Sequence, residues 1–159
     1  MKLGIFCKQI HVEKIVNFLN TTNIDYVIYS KGKTNEHFAY YSDFDIGISY
    51  CAGFIIDFDK EKKIQGQNRP WYNYHPHPLP QYKGYSSYAK AIDDSVRQYG
   101  VTLHKMVQRV DDGEIIQEKN FELESVPCHP NELGNICHYY LFQLFKETIV
   151  DISVGVIDG

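Results

Sequence analysis

In the stretch WYNYHPHPLPQYKG, residues 71–84, Asn73 and His75 stand two positions apart, ahead of a proline-rich turn that ends at Gly84. Further along, VDDGEII carries Asp111 two residues before Gly113. An amide donor, an imidazole and a separate carboxylate are together suited to assisting attack on a carbonyl. If 71–75 is extended, alternation places residues 73 and 75 on the same side. Both then project at the C-terminal end of a strand, where open α/β sheets place their ligands. In acyl transfer negative charge collects on the carbonyl oxygen, and preorganised donors aimed at it are usually the largest catalytic contribution; losing one costs roughly 2.7–4 kcal/mol. Asn73 donates through its side-chain amide. His75, when protonated, donates with charge, and a nearby Asp111 is expected to raise its pKa and fix its orientation. An attacking nucleophile must also lose its proton, a task suited to Asp111 directly or through water. Each residue also has a plainer reading. Asn73 can cap the turn, His75 can be a satisfied core histidine, and Asp111 can be a turn residue before Gly113.

These side chains need a sheet to hold them. Lys2–Cys7 (KLGIFC) reads as a buried first strand. Ile10–Leu19 has apolar positions at 12, 15, 16 and 19, a helical spacing. Asp25–Ser30 and Asp45–Tyr50 read as further strands, with a loop opening at Gly53. Residues 57–69 are charged and polar and read as a short helix and loop. Trp71–Tyr74 is the motif strand, Tyr85–Ile92 a helix, Gly100–Val110 a long strand, and Ile115–Leu123 a further strand joined to it by a turn at Asp111–Gly113. Pro130–Val150 is the longest expected helix, capped by Asn131, with Leu133, Ile136, Tyr140, Leu144 and Phe145 on one face. Strands alternating with helices in the first half argue for parallel pairing. The expected architecture is α/β, with residues 1–150 as one domain and 151–159 as a tail.

Composition sets outer limits. A chain of 159 residues with 43% hydrophobic and 23% charged residues is large enough to bury a sizeable core and ordinary for a globular domain. The net charge of −4, with scattered Lys and Arg, shows no basic stripe suited to a nucleic acid. Met1–Cys7 is too short for a signal peptide or a membrane span, so a cytoplasmic location is expected. The four cysteines are read as reduced thiols. The pairs Cys128-His129 and Cys137-His138 fit none of the usual zinc spacings, and no metal is expected. No Gly-x-Gly-x-x-Gly follows the first strand, which argues against a nicotinamide cofactor.

The order of motifs resembles the folate-dependent formyltransferase family. Asn73-Tyr-His75-Pro76, Leu79-Pro80, Tyr82-Lys83-Gly84, Gly100-Val-Thr-Leu-His104 and Asp111-Asp-Gly113-Glu-Ile-Ile116 follow the family's sequence of motifs over about residues 45–123. The resemblance implies a mostly parallel Rossmann-type sheet flanked by helices, with a C-terminal β-hairpin region and a terminal helix. It implies a cis Leu79-Pro80 bond. It assigns catalysis to Asn73, His75 and Asp111; the family's acid stands two residues before the glycine, which selects Asp111 over Asp112.

The implied co-substrate is 10-formyltetrahydrofolate, held largely by backbone groups of two loops, Tyr50–Ile56 and Gln108–Gly113. The residues concerned are Tyr50, Cys51, Ala52, Gly53, Phe54, Ile55, Val110, Asp111 and Gly113, with Phe54 and Ile56 equally readable as core. His77, Tyr82, Lys83, Gly84 and His104 are implied around the substrate; Trp71, Tyr72, Tyr85 and Tyr88 are candidates to stack on a base or sugar.

Within the family the chain looks closest to the sugar-nucleotide N-formyltransferases. Cys7-Lys8-Gln9-Ile10-His11 lacks the glycine- and serine-containing phosphate loop of glycinamide ribonucleotide relatives, and no transfer-RNA-binding extension or regulatory domain is expected. The implied substrate is a nucleotide-linked amino-deoxysugar, with no nucleic acid or membrane as partner. Another small amine, or a binding module without turnover, is the alternative. The segment before Asn73 is shorter than is usual in the family. This leaves open a minimal enzyme or a fragment of a longer one, and a monomer or a homodimer.

Overall fold

The computed structural model describes residues 1–30, 36–83 and 87–157. Gly84 and Tyr85, both singled out above, lie outside the described residues. Six strands form one sheet in the order β2-β1-β3-β4-β5-β6. They are β1 (Lys2–Cys7), β2 (Asp25–Tyr29), β3 (Ile46–Tyr50), β4 (Trp71–His75), β5 (Gln98–Lys105) and β6 (Ile115–Glu122). The first four run parallel, and β5 and β6 are antiparallel additions beside β4. The helices are α1 (Gln9–Leu19), α2 (Glu36–Tyr41), α3 (Phe58–Gln65), α4 (Ser87–Asp93) and α5 (Pro130–Ser153).

Strand alternation builds a separate core on each face of the sheet. Leu3, Ile5 and Cys7 of β1 join Ile15 and Leu19 of α1 and a row from Leu133 to Ile152 along α5. Phe6, pointing the other way, joins Ala39 and Tyr40 of α2 with Phe44 and Trp71. Each large apolar side chain so buried contributes about 1.5–3 kcal/mol. The same alternation divides β4. Tyr72 and Tyr74 face the α5 side, where the Tyr74 and Thr148 hydroxyls lie 2.8 Å apart. Trp71, Asn73 and His75 face the opposite side.

The start of β4 is anchored by a buried charge pair. Glu61 of α3 accepts from Arg69 Nε and from Trp71 Nε1, both at 2.9 Å. The Arg69 guanidinium in turn donates to the carbonyls of Ala39, Ser42 and Phe44. A buried guanidinium is tolerated only when its donors are satisfied in this way. The short segment α3–β4 is thereby tied to α2 and to the turn before β3.

Several elements differ from the expectation. The strand expected over Gly100–Val110 stops at Lys105. Beyond it the Met106 amide still donates to Trp71 O at 2.8 Å, but the chain then turns back, and Asp111 takes a left-handed φ of 56°. A register irregularity between Leu103 and His104 marks where pairing with β6 begins to shift. The cap of α5 is His129, whose Nδ1 accepts from the Asn131 amide at 3.1 Å, so Asn131 is inside the helix and not its cap. That helix passes residue 150 and ends at Ser153 because Ile149 and Ile152 continue its buried stripe, so the expected tail at 151–159 begins as helix. Helix α2 was not foreseen: six residues are too few to display a period.

Candidate active site

Two neighbouring strands and one turn bring the polar side chains together. Asn73 on β4 pairs in register with His104 on β5, and directly opposed residues project on the same face. His104 Nδ1 lies 2.8 Å from Lys105 O. A carbonyl only accepts, so this nitrogen carries the proton and Nε2 offers a lone pair. Asn73 Nδ2 sits 3.2 Å from that Nε2 and donates to it. The amide is thereby oriented, and one N–H remains for a ligand. His75 Nε2 likewise donates to Tyr82 O at 3.0 Å, which turns Nδ1 toward Asp111.

Asp111 arrives from the turn between β5 and β6. Its Oδ1 lies 3.8 Å from His75 Nδ1 and 3.6 Å from His104 Nε2. Its left-handed backbone suits aspartate, one of the few side chains that tolerate it. The glycine two residues later has a steric reason: a Cβ on Gly113 would stand 1.7 Å from Lys105 O. Only a residue without a side chain lets the turn close onto the end of β5.

Burial dominates the electrostatics of the histidines. Loss of water pulls the His75 pKa below its ordinary value; Asp111 and the Tyr82 hydrogen bond push it up, and His104 pulls it down again. The expectation that Asp111 sets a raised pKa is therefore corrected: its effect has the expected sign, but desolvation outweighs it. His77 is held down to about 3, first by burial and then by His75. Its Nδ1 lies 2.7 Å from the Tyr99 hydroxyl.

Asn73, His75, His104 and Asp111 line one side of a cavity of about 510 Å³. The loop after β3 lines it with Cys51, Ala52, Gly53, Phe54, Ile55 and Ile56, and the turn after β5 with Met106, Val107 and Val110. Cys51 (φ 53°) and Gly53 (φ 78°) both take left-handed backbone where that loop bends. The cavity thus has an apolar slot between two loops and a cluster of titratable groups beside it, the usual composition of a small-molecule site. His77 also lines it.

Other expected residues lie elsewhere. Tyr50 is core, its ring against Tyr74 and Phe145. Gly113 shapes the turn without lining the cavity. Tyr82 contributes its carbonyl to His75 and its hydroxyl to Asp94, while Lys83 is ion-paired with Asp112. Trp71 and Tyr72 are buried and not placed to stack on a ligand. Lys8, Ser49 and Met106 line the cavity and were not foreseen. Ser49 pairs in register with Asn73, a neighbourhood set by strand pairing and not by local sequence. The Leu79-Pro80 bond is cis, as the resemblance implied.

Residues 44–127, more than half of the chain, match the family model described as Formyl transferase. The chain belongs to this family. Among curated proteins, the chain is 39% identical over 86 residues to a methionyl-tRNA formyltransferase of Fervidobacterium nodosum; the match covers 54% of this chain and 26% of that protein. It spans about a quarter to a third of each such relative.

Solved structures share its fold. The formyltransferase PseJ of Anoxybacillus kamchatkensis, in complex with UDP-4,6-dideoxy-4-formamido-L-AltNAc and tetrahydrofolate, superposes with a TM-score of 0.75 at 23% identity, covering 99% of this chain and 79% of that one. An N-formyltransferase of Helicobacter canadensis, in complex with folinic acid and dTDP-3-aminofucose, gives 0.74 at 19% identity, covering 95% and 63%. Phosphoribosylglycinamide formyltransferase of Campylobacter jejuni gives 0.66 at 18%, covering 96% and 97%.

Proposed function

We propose that this chain moves a formyl group from 10-formyltetrahydrofolate to the amino group of a nucleotide-linked amino-deoxysugar. The observation that carries this reading is the convergence of Asn73, His75, His104 and Asp111 on a cavity whose far wall is an apolar two-loop slot. A flat reduced pteridine fits such a slot, and the loop backbones offer it N–H and C=O groups. Two structures of the same fold are described as complexes with tetrahydrofolate or folinic acid and a sugar nucleotide, which supports the reading.

The folate supplies an activated formyl group. The protein supplies position and charge. Asn73, held by His104, presents its remaining N–H to an oxygen that gains negative charge. His75 adds a second donor from Nδ1 once it takes up a proton. The pairing of a nascent anion with His75 offsets the desolvation that disfavours its charge in the resting site. Asp111 stands beside both histidines and accepts a proton from the attacking amine, directly or through water. Transfer RNA is the other candidate acceptor, favoured by the names of the curated relatives.

Folinic acid tests the folate half of the reading. It should raise the melting temperature in a concentration-dependent way, and no shift at saturation would remove the folate assignment. A panel of amino-sugar nucleotides and Met-tRNA incubated with 10-formyltetrahydrofolate, read by mass spectrometry, tests the acceptor. A formylated sugar nucleotide is expected; product only with the tRNA overturns the sugar assignment.

A further inference from the structure

Cys51 lines two cavities. One is the catalytic cavity; the other, of about 500 Å³, is lined also by His11, Lys14 and His138. The ligand atoms of His11, Cys51 and His138 all lie within 4.8 Å of one another. They come from α1, the loop after β3 and α5; none is among the groups proposed to act on the formyl carbonyl, while Cys51 also lines the slot proposed for the folate. The two imidazoles lie tilted with ring centroids 5.1 Å apart, and Tyr50 and His11 pack edge-to-face at 5.2 Å.

One feature of this cluster, beyond its geometry, points to a ligand. His138 Nδ1 is buried and has no hydrogen-bond partner among the described residues. Such an orphan costs about 1–3 kcal/mol and calls for an explanation. Burial, assisted by Lys14, brings the His11 pKa down to about 4 and lowers that of His138. Cys51 is backbone-strained at φ 53°, and its thiol is raised by burial to about 12, with Lys8 and Lys14 acting in the opposite direction.

We propose that His11, Cys51 and His138 form a binding site for a d¹⁰ cation, Zn²⁺ or Cu(I), in the wall shared by the two cavities. Ligand atoms around such an ion stand about 3.3–3.8 Å apart, given bonds of about 2.0–2.1 Å to nitrogen and 2.3 Å to sulfur. Side-chain rotation of about an ångström therefore closes the triad. On binding, the Cys51 S–H proton leaves to solvent, an S–metal bond forms, and no electron is transferred. The second cavity leaves room for a water as a fourth ligand on zinc. Charge bears on the choice of ion. Lys14 Nζ lies 5.5 Å from the Tyr50 ring centroid, and both Lys8 and Lys14 line the second cavity. A thiolate–Cu(I) unit is neutral beside these ammoniums, whereas thiolate–Zn²⁺ keeps a positive charge, so Cu(I) is the better matched of the two.

The test is metal uptake by the chelator-stripped chain, by equilibrium dialysis against Zn²⁺ and, anaerobically, against Cu(I) buffered by a competing ligand. One ion per chain is expected, and Co²⁺ as a zinc substitute should show a thiolate charge-transfer band. Cys51→Ser and His138→Gln should each weaken uptake at least about tenfold, while Cys128→Ser leaves it unchanged. Uptake of neither ion overturns the proposal. So does uptake that persists in both site variants, or that disappears with Cys128→Ser, since exposed Cys128 beside His129 is the adventitious alternative. Circular dichroism establishes that each variant is folded. If Cys51→Ser is not, His138→Gln decides alone. Folate binding and turnover play no part in this readout, so it stands or falls separately from the formyl-transfer reading.

Discussion

The hydrogen bonds around His75 limit what its imidazole does in the resting protein. Nε2 is committed to Tyr82 O, and Nδ1 faces Asp111 at 3.8 Å without a proton to share while the ring is neutral. Burial keeps it neutral to a lower pH than its ordinary value of 6.5. By NMR, His75 should therefore titrate below that value. Asp111→Asn should move it lower still, because the carboxylate is one of the influences holding the pKa up. An unchanged midpoint in the variant would mean that Asp111 and His75 are not electrostatically coupled. Catalysis gives the second prediction at this scale. Asn73→Ala and Asp111→Asn should each reduce kcat by roughly 10²–10³-fold with the circular dichroism unaltered. Near wild-type turnover in either would take that residue out of the proposed mechanism.

Among the elements, the turn between β5 and β6 carries the most consequence for the least sequence. Asp111 is placed by a left-handed backbone, and the turn closes only because Gly113 passes against Lys105 O. Since that neighbour is backbone and not a flexible side-chain end, the clash in Gly113→Ala cannot be relieved locally. The variant is expected to lose roughly 1–3 kcal/mol in urea unfolding and to lose most activity, as Asp111 moves away from the histidines. A variant as stable and as active as the parent would show that the turn has slack. The β5 strand is short for the same reason: Val107 and Val110 look like strand residues, but they leave the sheet to line the cavity.

For the whole molecule, the buried histidines set the response to acid. His77 has a folded-state pKa of about 3 against 6.5 in an unfolded chain, and His75 is displaced in the same direction. The unfolded state therefore binds protons first as pH falls, and stability must decrease on acidification through that interval. Aspartate and glutamate, with ordinary values of about 3.9 and 4.3, contribute mainly below about pH 5, so the upper part of the window belongs to histidine. The melting temperature, measured in EDTA, should fall steadily from pH 7 to pH 4.5, and His77→Gln should make the slope shallower. A flat profile, or an equal slope in the variant, would contradict the burial of these rings.

The sequence by itself determined most local elements and pointed to the candidate side chains that the cavity brings together. Alternation in WYNYH put Asn73 and His75 on one face, apolar spacing marked α1 and α5, and the Asp111–Gly113 spacing marked a turn, because strand, helix and turn each impose a short-range period or a backbone demand on nearby residues. Tertiary structure decided what depends on distant neighbours. It placed His104 opposite Asn73 through a strand register that no local pattern encodes. It ended β5 at Lys105 and carried α5 to Ser153 through contacts made elsewhere in the chain. It took Lys83 into an ion pair with Asp112 and put Tyr50 in the core. It also reversed the net direction of the His75 pKa, since the pull of Asp111 follows from proximity whereas desolvation depends on everything packed around the ring. Burial belongs to the assembled molecule, and no residue carries it in its own letter.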